Sequence, residues 1–271
     1  MILQALEEDA ATRDVTSRAV IPKSLHIRAR LLANGRGVLA GVKVVALTFT
    51  TLDPSVRCRL RLRSGAAVSS GATILTVEGP ARSIFAAERV ALNFLGHLSG
   101  IATLTRAFVD RVDGTRARIY DTRKTLPGLR ALEKYAVRAG GGYSHRTNLA
   151  NAVLIKTSHL RACCQTIQEA IRQARRNARG KFVEIEVTNR REFRAALAAH
   201  PDAILLDNWP TAAIARAVKL RGHTIRRPIL EASGGVTLAN VRAIARTGVD
   251  HISIGRLTHS APYLDVSLKV T

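Results

Sequence analysis

The sequence predicts an α/β protein in which a smaller, strand-rich N-terminal region precedes an incomplete or full β/α barrel of parallel strands. Three observations carry that expectation. The chain has 271 residues, enough for one barrel-sized domain and a smaller companion. Its early part alternates apolar and charged residues with period two, the mark of half-buried strands. From Arg118 onward six apolar, β-branched runs recur between helical segments, and strands covered on both faces by crossover helices read as such continuous runs.

The elements follow in order. Between Ile27 and about Gly79, "IRARLLA" is followed by a "NGRG" turn. Next comes "VRCRLRLR", in which Val56, Cys58, Leu60 and Leu62 alternate with four arginines. "GAAVSSGATILTVEG" continues in short strands with glycine turns. Residues 81–112 place apolar residues at helical spacing, and Ser99-Gly100 interrupts them, so two bridging helices are expected. The runs "ARIYDT", "AVLIKT", "FVEIEV", "AILLDN", "PILEAS" and "HISIGR" are the six parallel strands, with helices such as Pro127 to Ala139 and Thr237 to Thr247 between them. The expected division is residues 1–112 for the N-terminal part, to which a tail at 261–271 returns, and 113–260 for the barrel.

Composition narrows the class. Hydrophobic residues make up 46% of the chain, yet no apolar run reaches the roughly 18 residues that cross a bilayer. "MILQALEEDAATRD" is too acidic for a signal peptide. A cytoplasmic enzyme fits. Cys58, Cys163 and Cys164 match neither a disulfide framework nor a metal-ligand spacing and read as reduced. The formal net charge of +22 invites a nucleic-acid reading. The 34 arginines and 8 lysines are scattered along the chain without interleaved aromatics, so compositional bias with solvated faces is the expectation and no nucleic-acid partner is assigned.

The strand ends carry the chemistry, because the C-terminal ends of barrel strands converge on one mouth. The first strand ends in Asp121, Arg123 and Lys124, the second in Lys156, and the third carries Glu184 and Glu186. The fourth ends in Asp207-Asn208, the fifth in Glu231 and "SGG", the sixth in Gly255 and "RLTHS". Ser233, Gly234, Gly235 and Gly255 form loops after the last two strands, where backbone N–H groups commonly receive a phosphate, with Thr237 as helix cap. Glu186 and Asp207 suit Mg²⁺ or general acid/base work, and pairing with nearby arginines is their structural alternative. Glu184, two residues before Glu186, is expected on the opposite face or in a different layer. Arg123, Lys124, His145, Arg146 and Lys156 make a cationic wall fit for carboxylates. Pairing of Lys156 with Asp121 or Glu186 is its alternative. His97, His159 and His259 read as structural histidines, His259 least so because it stands beside the phosphate loop.

At these residues the chain resembles quinolinate phosphoribosyltransferase, the decarboxylating enzyme also called nicotinate-nucleotide pyrophosphorylase. The stretches are "ERVALNFLGHLSGIAT", "DTRKTLPGLRALEKYAVRAGGGYSHR", "AVLIK", "EIEV", "LLDN", "LEASGG" and "GVDHISIGRLTHS", in order from about Glu8 to the C-terminus. The resemblance implies an N-terminal open α/β sandwich, a seven-stranded α/β barrel and a homodimer or higher assembly. It implies a reaction that joins quinolinate to phosphoribosyl pyrophosphate, giving nicotinic acid mononucleotide, pyrophosphate and CO₂. It also implies that Arg123, Lys124, His145, Arg146 and Lys156 line the quinolinate pocket, with Arg89 supplied by the partner subunit. Glu186 and Asp207 would hold Mg²⁺ and ribose hydroxyls, and Ser233, Gly234, Gly235, Gly255 and His259 would surround phosphate. Lys124, Lys156, Glu186 and Asp207 are the expected catalytic set. The chain departs from the family where Thr157 and Ser158 replace Asp and Asn after Lys156, where Asn148 and Asn151 replace Gly and Asp, and at Arg256. A paralogue acting on another acidic base, or a weakened phosphate-binding relative, is the alternative.

Overall fold

A computed structural model describes residues 1–222 and 227–271. The chain forms two compact units. The first comprises Met1–Arg106, Leu126–Gly141 and Leu257–Thr271, the second Ala107–Thr125 and Gly142–Arg256.

The elements in chain order are α1 (Ile2–Glu8), α2 (Val15–Val20), β1 (His26–Ala33), β2 (Gly37–Val38), α3 (Val42–Leu52), β3 (Arg57–Leu60), β4 (Ala67–Val68), β5 (Thr73–Pro80) and α4 (Ala81–Val112). They continue with β6 (Arg118–Tyr120), α5 (Arg130–Ala139), β7 (Val153–Ile155), α6 (Thr157–Cys163), α7 (Ile167–Asn177), β8 (Val183–Val187), α8 (Arg190–Ala199), β9 (Ala203–Asp207) and α9 (Thr211–Arg221). The last are β10 (Ile229–Ser233), α10 (Val241–Ala245), β11 (His251–Ser253), α11 (Arg256–His259) and β12 (Val266–Val270).

In the first unit the sheet order is β12-β1-β5-β3, antiparallel throughout. Period two sorts its side chains: Ala29, Leu31, Ala33, Leu75 and Val77 are buried and pack with Phe49, Ile84 and Leu95 of the helices, while Arg28 and Arg30 of β1 are exposed. Each such apolar side chain contributes about 1.5–3 kcal/mol on burial. The strand expected from "VRCRLRLR" forms as β3, although Leu60 at its end is exposed.

The two expected bridging helices are one helix, α4, of 32 residues. Gly96 and Gly100 do not break it; they admit the C-terminal segment. A Cβ on Gly96 would lie 2.3 Å from the Tyr263 ring and one on Gly100 would overlap the Pro262 carbonyl. Ser99 accepts the Ala40 N–H at 3.0 Å. The segment Leu126–Gly141, read from sequence as part of the β/α series, groups with the first unit. Leu129 and Leu132 pack on that unit's core, and Glu133, fully buried, meets His97 Nε2 at 2.9 Å. His97 is thus structural.

The second unit holds a six-stranded parallel sheet in the order β6-β11-β10-β9-β8-β7. Its strands are the six expected runs. Val183, Ile185 and Val187 of β8 are fully buried, as are Ile204 and Leu206 of β9. A single parallel bridge joins Tyr143 to Tyr120, extending the β6 edge by one residue. Among the described residues no helix is long and apolar enough to cross a membrane.

Candidate active site

Register places the strand ends of the second unit along one rim. Ile155 pairs with Ile185, so Lys156 and Glu186 follow at the same level; Asp207 pairs with Ser233, Ser233 with Ser253, and Ser253 with Tyr120, next to Asp121. Glu186 is opposite Leu205, two residues before Asp207. With about 3.3 Å per residue and about 4.8 Å between strands, the Glu186 and Asp207 Cα atoms lie about 8 Å apart on one face.

Below the rim lies a buried polar layer. Glu184 shares the face of Glu186, one layer deeper, because residues two apart on a strand point the same way; the opposite-face alternative does not hold. Glu184 and Glu231 are each 2% exposed, and Asp121 is fully buried. Asp121 accepts the His145 N–H at 2.8 Å. His145 Nδ1 accepts the Arg146 N–H at 2.8 Å, which assigns the ring proton to Nε2, 3.0 Å from Glu184 Oε2. Glu231 Oε1 is 3.6 Å from the same nitrogen, and its other oxygen is 3.8 Å from His251 Nδ1. Burial, then the neighbouring Glu231 charge, push the Glu184 carboxyl above its usual range, with His145 opposing them. His145, Glu184 and Glu231 place possible ligand atoms within 4.8 Å of one another; one hydrogen bond joins His145 to Glu184, while Glu184 Oε1 and Glu231 Oε1 are buried with no hydrogen-bond partner among the described residues.

The Arg123 and Arg146 guanidiniums are near enough for the charge of the first to act on the second. The Arg123 Nε is buried without a hydrogen-bond partner among the described residues. Arg146 donates to the Ala152 carbonyl at 3.0 Å. Its guanidinium is held below its ordinary affinity for protons by burial and then by the Arg123 charge. Lys124 and Lys156 are exposed. The alternative considered for Lys156, a pair with Asp121 or Glu186, is not found among the described residues; the Lys156 main-chain N–H donates to His159 Nδ1 at 2.9 Å, so His159 caps the start of α6.

Glu186 Oε1 accepts from Thr157, the first residue of α6, and Asp207 Oδ2 accepts from the Asn208 amide at 3.1 Å. The second oxygen of each carries no hydrogen bond among the described residues. Asn208 adopts φ 56° and its amide fills the space beside Gly234, where a Cβ would strike it. Gly234 and Gly235 both have positive φ, and a Cβ on Gly235 would meet nothing within 4 Å. Thr237 and Asn240 close the following turn reciprocally, at 2.8 and 3.3 Å. Gly255 lies in the turn between β11 and α11.

Two expected site residues belong to the first unit. Arg89 is exposed on α4, and His259, on α11, bonds Ser260 at 2.6 Å. Sequence reading gave no role to Glu231, His251, Thr157 as a donor, or the Asn208 turn. The acids in "EIE" and "ILEAS" were the available signal, since a carboxylate within a strand buried on both faces must point into the barrel.

Comparison with known proteins agrees with this arrangement. Residues 14–99 match the family described as quinolinate phosphoribosyl transferase, N-terminal domain, and residues 101–269 match its C-terminal domain. Nicotinate-nucleotide pyrophosphorylase [carboxylating] of Mycobacterium leprae is 43% identical over 270 residues, covering 98% of this chain and 95% of that one. Quinolinate phosphoribosyltransferase [decarboxylating] 1b of Nicotiana tabacum is 37% identical, covering 100% and 81%. The crystal structure of nicotinate-nucleotide pyrophosphorylase from Ehrlichia chaffeensis superposes with a TM-score of 0.93 at 37% identity, covering 100% and 97%. From its two matched domains and its full-length relatives, the chain belongs to the quinolinate phosphoribosyltransferase family.

Proposed function

We propose that the chain transfers the phosphoribosyl group of phosphoribosyl pyrophosphate to quinolinate with decarboxylation, yielding nicotinic acid mononucleotide, pyrophosphate and CO₂ for NAD biosynthesis. The observation that carries this reading is the buried Arg123 Nε, without a hydrogen-bond partner among the described residues, in a guanidinium whose charge acts on Arg146. The two guanidinium charges repel each other, and among the described residues the buried Arg123 Nε has no acceptor. A planar dianion with adjacent carboxylates relieves both costs, since arginine grips carboxylates bidentately. Exposed Lys124 and Lys156 add point charges, and the His145–Glu184–Asp121 layer fixes the floor.

The chemistry needs no nucleophilic side chain. The quinolinate ring nitrogen forms a bond to ribose C1 as the bond from C1 to the pyrophosphate oxygen breaks and its electron pair departs with pyrophosphate. The carboxylate next to the quaternised nitrogen then leaves as CO₂, and the electron pair left on the ring carbon takes up a proton. The chain's part is to orient the ring and stabilise charge as it shifts. Ser233 and the open backbone of Gly234, Gly235 and Gly255, with His259, would receive phosphate. Glu186 and Asp207 fit Mg²⁺, because each keeps one uncommitted oxygen and that ion takes one or two carboxylates plus substrate oxygens. Bound there, the metal would neutralise the departing pyrophosphate. Glu186 and Asp207 would also hold the ribose hydroxyls. Exposed Arg89 fits a site completed by a second copy in a homodimer or higher assembly. The free cysteines, two of them exposed, fit the reducing cytoplasm.

The test is an assay that detects the mononucleotide. Quinolinate with phosphoribosyl pyrophosphate should give product and nicotinate should not; product from nicotinate alone would assign the site to another acidic base.

A further inference from the structure

The arginines that are scattered in sequence gather on the open face of the β12-β1-β5-β3 sheet. Arg57 and Arg28 flank Glu78, and Arg59 and Arg30 flank Thr76, each directly opposite in register; Arg30 is also opposite Lys269. Arg61 comes directly after β3, and all six cations are exposed. Glu78 pairs with Arg28 at 2.8 Å. Among the described residues no carboxylate pairs with Arg30, Arg57, Arg59, Arg61 or Lys269. Arg28, Arg30, Arg57, Arg59, Arg61, Thr76 and Glu78 line a cleft of about 470 Å³. Like charges directly opposite on a sheet are destabilising, so the face holds a repulsion that a polyanion would relieve.

We propose that this sheet face binds the phosphodiester backbone of duplex nucleic acid without reading sequence. The row Arg59, Arg30, Lys269 crosses four strands, a span of about 14 Å, and a duplex presents phosphate strands on either side of a major groove about 12 Å wide. Extended arginines on such a row reach both. The outward residues of these strands include no Phe, Tyr or Trp, and the imidazole of His26, at the start of β1, is held to the Ser24 carbonyl at 3.1 Å, so successive bases have no platform of rings for stacking, and a single strand gains nothing over a duplex. The proposal is independent of the catalytic reading, since none of these residues lies in the site described above.

Five unpaired cations predict that the logarithm of affinity falls with the logarithm of salt with a slope of about −4.5, or about 500-fold between 50 and 200 mM. The experiment follows binding of the full chain to a labelled 20-base-pair duplex, DNA in one arm and RNA in another. Arg30→Gln with Arg59→Gln should flatten the slope to about −2.7, leaving about a 40-fold loss over that range. Arg30→Lys with Arg59→Lys should keep the wild-type slope, and turnover of quinolinate should be unchanged in both. Removing the same charge from α7, by Arg172→Gln with Arg176→Gln, should leave duplex binding within about twofold. An equal loss from the α7 variant would overturn the proposal, since net charge alone would then account for binding. So would absence of binding at 50 mM salt, or equally tight binding of polyglutamate, which would identify an acidic protein as the partner.

Discussion

Thr157 meets Glu186 twice: its main-chain N–H lies 3.3 Å and its hydroxyl 3.2 Å from the same carboxylate oxygen, Oε1. Thr157 opens α6 directly after Lys156, so one turn of chain sets both the cation at the end of β7 and the orientation of the acid on β8. The contact leaves Glu186 Oε2 without a hydrogen bond among the described residues.

Thr157→Val keeps the N–H and deletes the hydroxyl. With Glu186 less well oriented, kcat/KM should fall about 10-fold, within the range for residues that orient a ligand, and the Mg²⁺ requirement should rise. Thr157→Ser should stay within about threefold of wild type. Glu186→Gln should raise the Mg²⁺ requirement further than Thr157→Val does. An unchanged Mg²⁺ dependence in both would remove Glu186 from the metal.

Glu184 gives the second layer a pH signature. Its carboxyl is raised by burial and by Glu231, so the folded state favours the protonated acid. That contribution is fully present below the unfolded value of about 4.3 and is lost as pH rises through the folded value. Glu184→Gln can still accept from His145 Nε2 and carries no charge. Its denaturation midpoint should therefore gain on wild type as pH rises above about 4.3 and level off once the folded value is passed. A difference that stays constant with pH would mean that Glu184 is not strained by ionisation.

Gly100→Ala tests the close approach of α4 to the C-terminal segment. Its methyl would overlap the Pro262 carbonyl, which costs about 1–3 kcal/mol if the segment shifts to relieve it. Gly114→Ala is the backbone control, because its φ of 73° is unfavourable for alanine but nothing lies within 4 Å. Chemical denaturation of both should show the larger shift at Gly100 only if packing, more than conformation, selects that glycine.

What the sequence disclosed follows from how locally each feature is encoded. The parallel strands were legible because burial on both faces leaves uninterrupted apolar runs such as "AILLDN", and the rim residues because strand ends are local. The length of α4 was not, since Gly96 and Gly100 look like breaks until Tyr263 and Pro262 occupy the space beside them. Leu126–Gly141 was assigned to the barrel because its helical pattern does not say which core its leucines meet. The depth of Glu184 and Glu231 needed both strands in register. The arginine face was hidden for the same reason: "IRARLLA", "VRCRLRLR" and "SLKV" lie far apart in the chain and become one surface only through β-pairing.

Arg89 is exposed on α4, and if it completes the site of a second copy, Arg89→Ala and Lys156→Ala should each be nearly inactive. Mixed and allowed to exchange subunits, they should recover roughly a quarter of wild-type turnover, because about half of randomly formed dimers carry one intact site. No recovery despite demonstrated exchange would assign Arg89 to its own chain or to no role in binding.

The proposed reaction is tested most directly by the fate of the carboxylate next to the quinolinate ring nitrogen. With that carbon labelled, the account predicts one labelled CO₂ for each mononucleotide formed, strict dependence on phosphoribosyl pyrophosphate, and loss of both products by at least about 100-fold in Arg146→Ala, the scale of a lost charge-assisted contact. Mononucleotide without labelled CO₂, CO₂ without phosphoribosyl pyrophosphate, or full activity in Arg146→Ala would contradict it.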